Sequence, residues 1–334
     1  MNRWTFALCA TLAAGLPLGA QNKKIVAVEL TAAEVTTLQS AASGVTIVPV
    51  TNNRLMAEVA DADAILGTIN PALIRAGKKL KWVQSYSAGV ETYLSPEMKA
   101  SDIVLTNAKI IQGPNIADHA MALLLAFTRG MYRAVAARPQ EGAARGEYRL
   151  IELTGKTAVV IGVGGIGMQI AVRAHAFGMN VIGVDPKDIS YTPVLSKVVP
   201  PDRLNEVLPL ADVVFVSAPH TPQSEGMVGP QQFELMKKGA YFIAVSRGKL
   251  YSSEALVKAL DSRKIAGAGL DVTNPEPLPK GHPLWKFENV IITPHVAGQS
   301  DLVQGRRIEL IQENVRRFAA GKPLLNVVDK QKGY

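Results

Sequence analysis

Thr157-Ala158-Val159-Val160-Ile161 runs into Gly162-Val163-Gly164-Gly165-Ile166-Gly167, then Met168–Phe177, Gly178 and Val181-Ile182-Gly183-Val184-Asp185. A short β-branched run, a glycine turn, an amphipathic segment and a second apolar run make one strand–helix–strand unit. Gly162, Gly164, Gly165, Ile166 and Gly167 sit where backbone turns tightly and approaches a pyrophosphate, whose charge the following helix N-terminus meets. Ile166, Ile170, Ala174 and Phe177 recur at helical spacing, so that face is expected on the sheet, and Gly178 stops the helix. Asp185 closes the second strand about 20 residues after the glycines, where a carboxylate accepts the ribose hydroxyls. Its charge favours NAD over NADP, although Lys187 stands nearby.

Outward from this unit the chain alternates strands and helices, which predicts α/β architecture with two doubly wound parallel sheets. In the first half the strands are expected at Ile25–Leu30, Thr46–Val50, Ala64–Leu66, Trp82–Ser85 and Ile103–Thr106, with helices at Thr31–Ala42, Asn52–Ala60 and Pro71–Ala76. A long helix is expected from Asn115, as cap, to Arg133, with His119 structural, and Arg138–Arg149 is a polar connection. In the second half the strands are Val213–Ser217, Tyr241–Val245, Ala268–Asp271 and Val290–Thr293, with helices at Asp202–Leu208, Gln231–Met236 and Ser253–Leu260. Ligands of open α/β sheets lie beyond the strand ends, which singles out Ser87-Ala88-Gly89-Val90, Ala218-Pro219, Val245-Ser246-Arg247 and Asp271. Backbone N–H groups around Ala88, Gly89 and Val90 would suit a carboxylate.

The 334 residues carry a formal charge of +8, or +7 once Arg3 within residues 1–20 is set aside. Lysines and arginines are scattered without aromatic interleaving, which argues against nucleic acid; a mild positive field suits anionic ligands. Cys9 is the single cysteine, so an internal disulfide, a thiol nucleophile in the body and a cysteine metal site are not expected. His119, His175, His220, His282 and His295 show no metal-ligand spacing, and no metal is expected. Met1-Asn2-Arg3, an apolar run Trp4–Leu18 and Gly19-Ala20 before Gln21 read as a secretory leader cut after Ala20. Export to the periplasm or outside follows, without stable membrane insertion after cleavage; the alternative is a cytoplasmic chain.

Arg247, Glu276 and His295 could carry chemistry. Reducing a keto group needs a proton as well as a hydride, and histidine transfers protons near neutral pH. A neighbouring carboxylate holds its tautomer, and a guanidinium can grip a substrate carboxylate while polarising the adjacent carbonyl. Glu276 lies in the proline-braced Asn274-Pro275-Glu276-Pro277-Leu278-Pro279.

The glycine turn with Asp185, Val245-Ser246-Arg247-Gly248, Gly269-Leu270-Asp271-Val272, Glu276-Pro277-Leu278-Pro279, Pro283-Leu284-Trp285, Thr293-Pro294-His295, Ser87-Ala88-Gly89-Val90 and Ile116-Ala117-Asp118-His119 together resemble the D-isomer-specific 2-hydroxyacid dehydrogenases. The resemblance spans nearly everything after the leader. It implies a Rossmann NAD-binding domain over residues 116–295 and a discontinuous, flavodoxin-like substrate domain over 21–115, with 296–334 returning to it through a helix from Asp301 to Ala319. It implies that Arg247 binds and polarises a small 2-oxo acid and that His295 is the acid/base, with Glu276 keeping it protonated for reduction. Cofactor contacts from Gly165, Ile166, Asp185, Ala218, Val245 and Asp271, substrate-carboxylate contacts at Ala88 and Gly89, and a homodimer are also implied. The expected activity is NAD(H)-dependent interconversion of a 2-oxo acid and its D-2-hydroxy acid; the alternatives are a non-catalytic dinucleotide-sensing protein on this fold or a secreted relic without cofactor. Glu276 stands where the formate dehydrogenase branch has Gln, so formate oxidation is not expected. The end at Tyr334 is expected to exclude phosphoglycerate dehydrogenases with an appended serine-sensing module. Glu91 replaces an Asp common in the family and is expected to retune the substrate loop. Tyr251-Ser252 replaces the usual Val-Asp without expected loss of chemistry.

Overall fold

The structure, a computed structural model, describes residues 22–137 and 150–334; the expected leader and the Arg138–Arg149 connection lie outside the described residues. Lys23–Val28 (β1), Val45–Val50 (β2), Ala64–Leu66 (β3), Trp82–Gln84 (β4) and Val104–Thr106 (β5) form a five-stranded parallel sheet in the order β2-β1-β3-β4-β5. Helices Ala32–Gln39 (α1), Leu55–Glu58 (α2), Pro71–Ala76 (α3) and Pro96–Ala100 (α4) connect these strands. Gly113–Thr128 (α5) and Met131–Ala137 (α6) follow.

The second sheet contains Thr157–Ile161 (β6), Asn180–Val184 (β7), Lys197–Val199 (β8), Val213–Val216 (β9), Ala240–Ala244 (β10), Ile265–Leu270 (β11) and Val290–Ile292 (β12). All seven run parallel in the order β12-β11-β10-β9-β6-β7-β8. Gly165–Ala176 (α7), Leu204–Val207 (α8), Pro230–Leu235 (α9), Ser253–Asp261 (α10) and Val303–Ala319 (α11) complete the helices. The smaller sheet has the flavodoxin-like order, and the larger reverses direction between β6 and β9 as a Rossmann sheet does.

Side chains alternate across a strand, so a sheet covered on both faces must be apolar throughout. Val159, Ile161, Val214, Val216, Phe242 and Ala244 pack into one core, and their neighbours Ala158, Val160, Val213, Phe215, Tyr241 and Ile243 into the opposite one. The small sheet divides likewise: Val26, Val28, Ile65 and Val83 face one way, and Ile25, Ala27, Leu66 and Trp82 the other. Ile308, Ile311 and Val315 of α11 join that last core, so the chain after His295 packs on the sheet made by its first hundred residues. An antiparallel bridge from Thr106 to Val327 fastens the same return.

Several elements depart from expectation. The expected Asn115–Arg133 helix is two: α5 begins at Gly113 with Pro114 in its first turn, where a missing N–H costs nothing, and Asn115 is not the cap. Arg129 and Gly130, the latter at φ 65, end α5, and α6 leaves at 73°. Asn52–Ala60 shrinks to the four residues of α2 because Asn52 is drawn into a turn, its backbone and side-chain N–H groups donating to Glu29 Oε1 at 3.2 and 3.3 Å. Phe177 follows the end of α7 and is 44% exposed, so it does not lie on the sheet with Ile170 and Ala174. Short β8 and α4 lack a readable apolar period.

Tyr251 is buried edge-on against Phe242, with ring centroids 5.2 Å apart, and donates to Val272 O at 2.8 Å. Burial pushes its phenol well above the usual range. Tyr251→Phe keeps the ring but orphans the carbonyl, and is expected to cost about 1 kcal/mol in urea unfolding.

Candidate active site

The carboxyl ends of both sheets converge on one cleft. From the large sheet come the turn after β6, the residues after β9 and β10, Asp271 after β11 and His295 after β12. From the small sheet comes Ser87–Val90, after β4. Within the described residues the amides of Ala88, Gly89 and Val90 donate to nothing in the protein, while Asn107 Nδ2 donates to Ala88 O at 2.6 Å and holds the loop.

The glycine turn is shaped by close approach. Gly162 sits at φ 88, and a Cβ there would lie 2.4 Å from the Cα of Ala218. Ser217 Oγ donates to Gly162 O at 2.8 Å and ties the β9 end to the same turn. A Cβ on Gly164 would meet nothing within 4 Å, leaving an open cradle before the first turn of α7, which carries no side-chain cap. Uncapped N–H groups facing open space fit a dinucleotide's phosphates. Asp185 accepts from Val163 N at 2.8 Å and Lys187 N at 2.9 Å, so its carboxylate is oriented beside the turn. Pro219 O accepts from Ser224 Oγ at 2.7 Å, and the buried Ser246 hydroxyl donates to Val216 O at 3.3 Å. Val245 and Ala218 are buried.

His295 Nδ1 and Glu276 Oε1 are 2.6 Å apart, both side chains about two-fifths exposed at 42% and 41%. Glu276 Oε2 also accepts from Thr273 N at 3.4 Å. With Nδ1 engaged, the ring's Nε2 is the nitrogen left for a ligand. His295 lies at φ 54, a conformation unusual for a side-chain-bearing residue, and its N–H donates to Asp271 O at 3.0 Å. Asp271, 1% exposed, accepts from Thr293 Oγ1 at 2.6 Å and from Val296 N and Ala297 N at 3.0 Å. The buried carboxylate thus fixes the turn that carries His295. His119 Nε2 lies 2.9 Å from Thr293 Oγ1 and 3.6 Å from Asp271 Oδ1, bracing the turn from α5.

Arg247 is not hydrogen-bonded to His295 or Glu276; Nη1 donates to Ser246 O at 2.8 Å and Nε to Glu91 Oε1 at 3.0 Å. Gly248 links its segment to the Glu276 loop, since a Cβ there would fall 2.0 Å from Thr273 O. Sequence reasoning missed the residues that hold these groups: Thr293 between Asp271 and His119, Asn115 donating to Ala297 O at 2.7 Å, and Gln112 to Gly298 O at 3.1 Å. Thr293 stood beside Pro294-His295, but Gln112 and Asn115 lie about 180 residues from their partners and gave no local signal.

Two parallel sheets meeting at a glycine-turn cleft, with a paired histidine and carboxylate and an arginine at its edge, define an α/β protein of the nucleotide-binding type. Residues 121–297 match the family described as D-isomer specific 2-hydroxyacid dehydrogenase, NAD binding domain. The chain is 34% identical to a D-3-phosphoglycerate dehydrogenase of Methanocaldococcus jannaschii, over 84% of this chain and 54% of that one. It thus spans about half the length of that relative. It is 31% identical to a glyoxylate reductase of Korarchaeum cryptofilum, over 85% and 87% of the two chains. A D-isomer specific 2-hydroxyacid dehydrogenase family structure from Aeromonas salmonicida superposes with TM-score 0.78 at 28% identity, covering 92% of this chain and 99% of that one. One from Xanthobacter autotrophicus, in complex with NADPH and MES, gives TM-score 0.79 at 25% identity over 94% and 100%. The chain belongs to the D-isomer specific 2-hydroxyacid dehydrogenase family.

Proposed function

We propose that the chain is an NAD(H)-dependent oxidoreductase that interconverts a small 2-oxo acid, of the glyoxylate, hydroxypyruvate or pyruvate kind, and its D-2-hydroxy acid. The observation that carries this reading is the Glu276–His295 pair at 2.6 Å in the cleft that also receives Arg247 and the Ala88–Gly89 loop. A bound nicotinamide supplies or accepts the hydride. His295 holds the proton at Nε2 and delivers it to the carbonyl oxygen during reduction, while Glu276 holds Nδ1 and stabilises the imidazolium. Arg247 binds the acid and draws charge from its carbonyl, and the free amides of Ala88 and Gly89 receive its carboxylate. Gly165, Ile166, Ala218, Val245 and the turn around them cradle the cofactor. Asp185 favours NAD, because a carboxylate at the ribose repels a 2′-phosphate.

The test is nicotinamide absorbance against a panel of 2-oxo acids with NADH and NADPH. Arg247→Ala is expected to lower kcat/KM by about 10³-fold, as loss of a charged donor at a developing oxyanion does. Turnover equal to the parent's would remove Arg247 from the role, and NADH binding without reduction of any acid would favour a dinucleotide-sensing protein.

The same reading divides the chain into a nucleotide domain over 116–295 and a substrate domain over 21–115 and 296–334. It also includes a homodimer through the nucleotide domain, supported by exposed apolar side chains at Met131 (54%), Val135 (68%) and Leu150 (50%). Sedimentation at the monomer mass would reject the dimer. Residues 1–20 support export, and cytosolic protein retaining Met1 in cell fractions would overturn it.

A further inference from the structure

Arg247 offers two edges on which a carboxylate can bind side by side: Nε with Nη2, and Nη1 with Nη2. The first is taken. Glu91 Oε1 lies 3.0 Å from Nε and Glu91 Oε2 3.5 Å from Nη2, while Nη1 is turned back onto Ser246 O at 2.8 Å. The contact joins the two sheets' ends, because Glu91 begins the short 3-10 turn Glu91–Tyr93 directly after the Ala88–Val90 loop. The guanidinium is pressed into that loop, where a Cβ on Gly89 would fall 1.9 Å from Nη2 and 2.7 Å from Glu91 Oε2. Glu91 therefore sits where an incoming acid would meet both the arginine and the free loop amides. The pair is over one-third exposed at 36% and 37%, so it can open without stranding a buried charge.

We propose that Glu91 is a specificity-determining residue that competes with the substrate's carboxylate for Arg247 and selects against acids carrying a second negative charge. The proposal rests on the assignment of Arg247 as the substrate-binding arginine. A monocarboxylate exchanges with Glu91 on the guanidinium edge, and the displaced carboxylate turns to solvent. A dianion leaves one negative charge without a cation on the loop that still carries the displaced Glu91, and like-charge repulsion across that short separation penalises it. The accepted substrates are thus small monoanionic 2-oxo acids, and phosphorylated or dicarboxylic ones are disfavoured.

Oxamate and oxalate test this, because they have nearly the same shape, cannot be reduced at the carbonyl, and differ by one charge. Their dissociation constants are measured by calorimetry on the full chain with NADH, for the parent, Glu91→Gln and Glu91→Asp. Glu91→Gln is expected to tighten both ligands, and oxalate on the order of tenfold more than oxamate. Glu91→Asp, which keeps the charge, is expected to retain the parent's oxalate-to-oxamate ratio. In turnover, Glu91→Gln is expected to lower KM for glyoxylate while kcat moves little. An unchanged oxalate-to-oxamate ratio in Glu91→Gln, or weaker binding of both ligands, overturns the proposal. A parent that reduces no 2-oxo acid refutes the assigned reaction instead, and a shifted ratio would still establish Glu91 as the competitor for the anion site.

Discussion

His295→Ala is expected to fold like the parent and to lose about 10³-fold in kcat for 2-oxo acid reduction. The size of the loss follows from geometry. The ring is oriented from one side by Glu276 at 2.6 Å and from below by a backbone turn anchored on Asp271, so its Nε2 is held ready for a ligand. Alanine removes the proposed proton carrier but leaves that turn intact, because the anchoring bonds run to backbone amides. The exposed pair contributes little to stability, so unfolding free energy is expected to stay within about 1 kcal/mol of the parent. Glu276→Gln keeps the shape and removes the charge proposed to support His295 during proton transfer, so its loss in kcat should be smaller than that of His295→Ala. Stopped-flow measurement of NADH oxidation separates the two. A His295→Ala protein with parental kcat would place the proton donor elsewhere.

The second large effect is expected at the glycine turn, where two substitutions of the same size should fail differently. A methyl group on Gly167 would lie 1.8 Å from Gly162 O and 2.8 Å from Ser217 Oγ, so the turn or the helix must shift. Such overpacking is expected to cost about 1–3 kcal/mol of stability. A methyl on Gly164 meets nothing within 4 Å of the protein and leaves the fold unaffected. It fills the cradle instead, and losing one or two amide contacts to a charged phosphate weakens NADH by about ten- to a hundredfold. Urea unfolding and NADH fluorescence titration read the two effects separately. Destabilisation by Gly164→Ala, or undiminished NADH affinity, would contradict the cradle.

The large sheet was legible because each of its central strands, such as Val213–Val216, is a continuous apolar run, as burial on both faces requires. The turn after β6 was legible because its glycines answer to distances set within the unit itself. Where helices ended was less legible. Pro114 and Gly130 were visible in the sequence, yet only packing decided that one opens α5 and the other bends the chain by 73° into α6. Phe177 has the spacing of a buried residue and is exposed, because helical period does not say where the helix stops.

His295 and Glu276 were marked by short proline-bearing motifs and by the chemistry of their side chains, and they meet. Arg247 was marked too, but its pairing with Glu91, 156 residues away, was not. Local sequence determined strands, glycine turn and the kinds of reactive group, because strand burial, turn geometry and side-chain pKa class depend on neighbours within one element. Tertiary structure alone decided that the Glu91 carboxylate occupies one edge of the Arg247 guanidinium and that Asp271, Thr293 and His119 clamp the histidine's turn. Those contacts join elements whose separation along the chain carries no periodic signal, and they form only when the two sheets bring their carboxyl ends to one cleft.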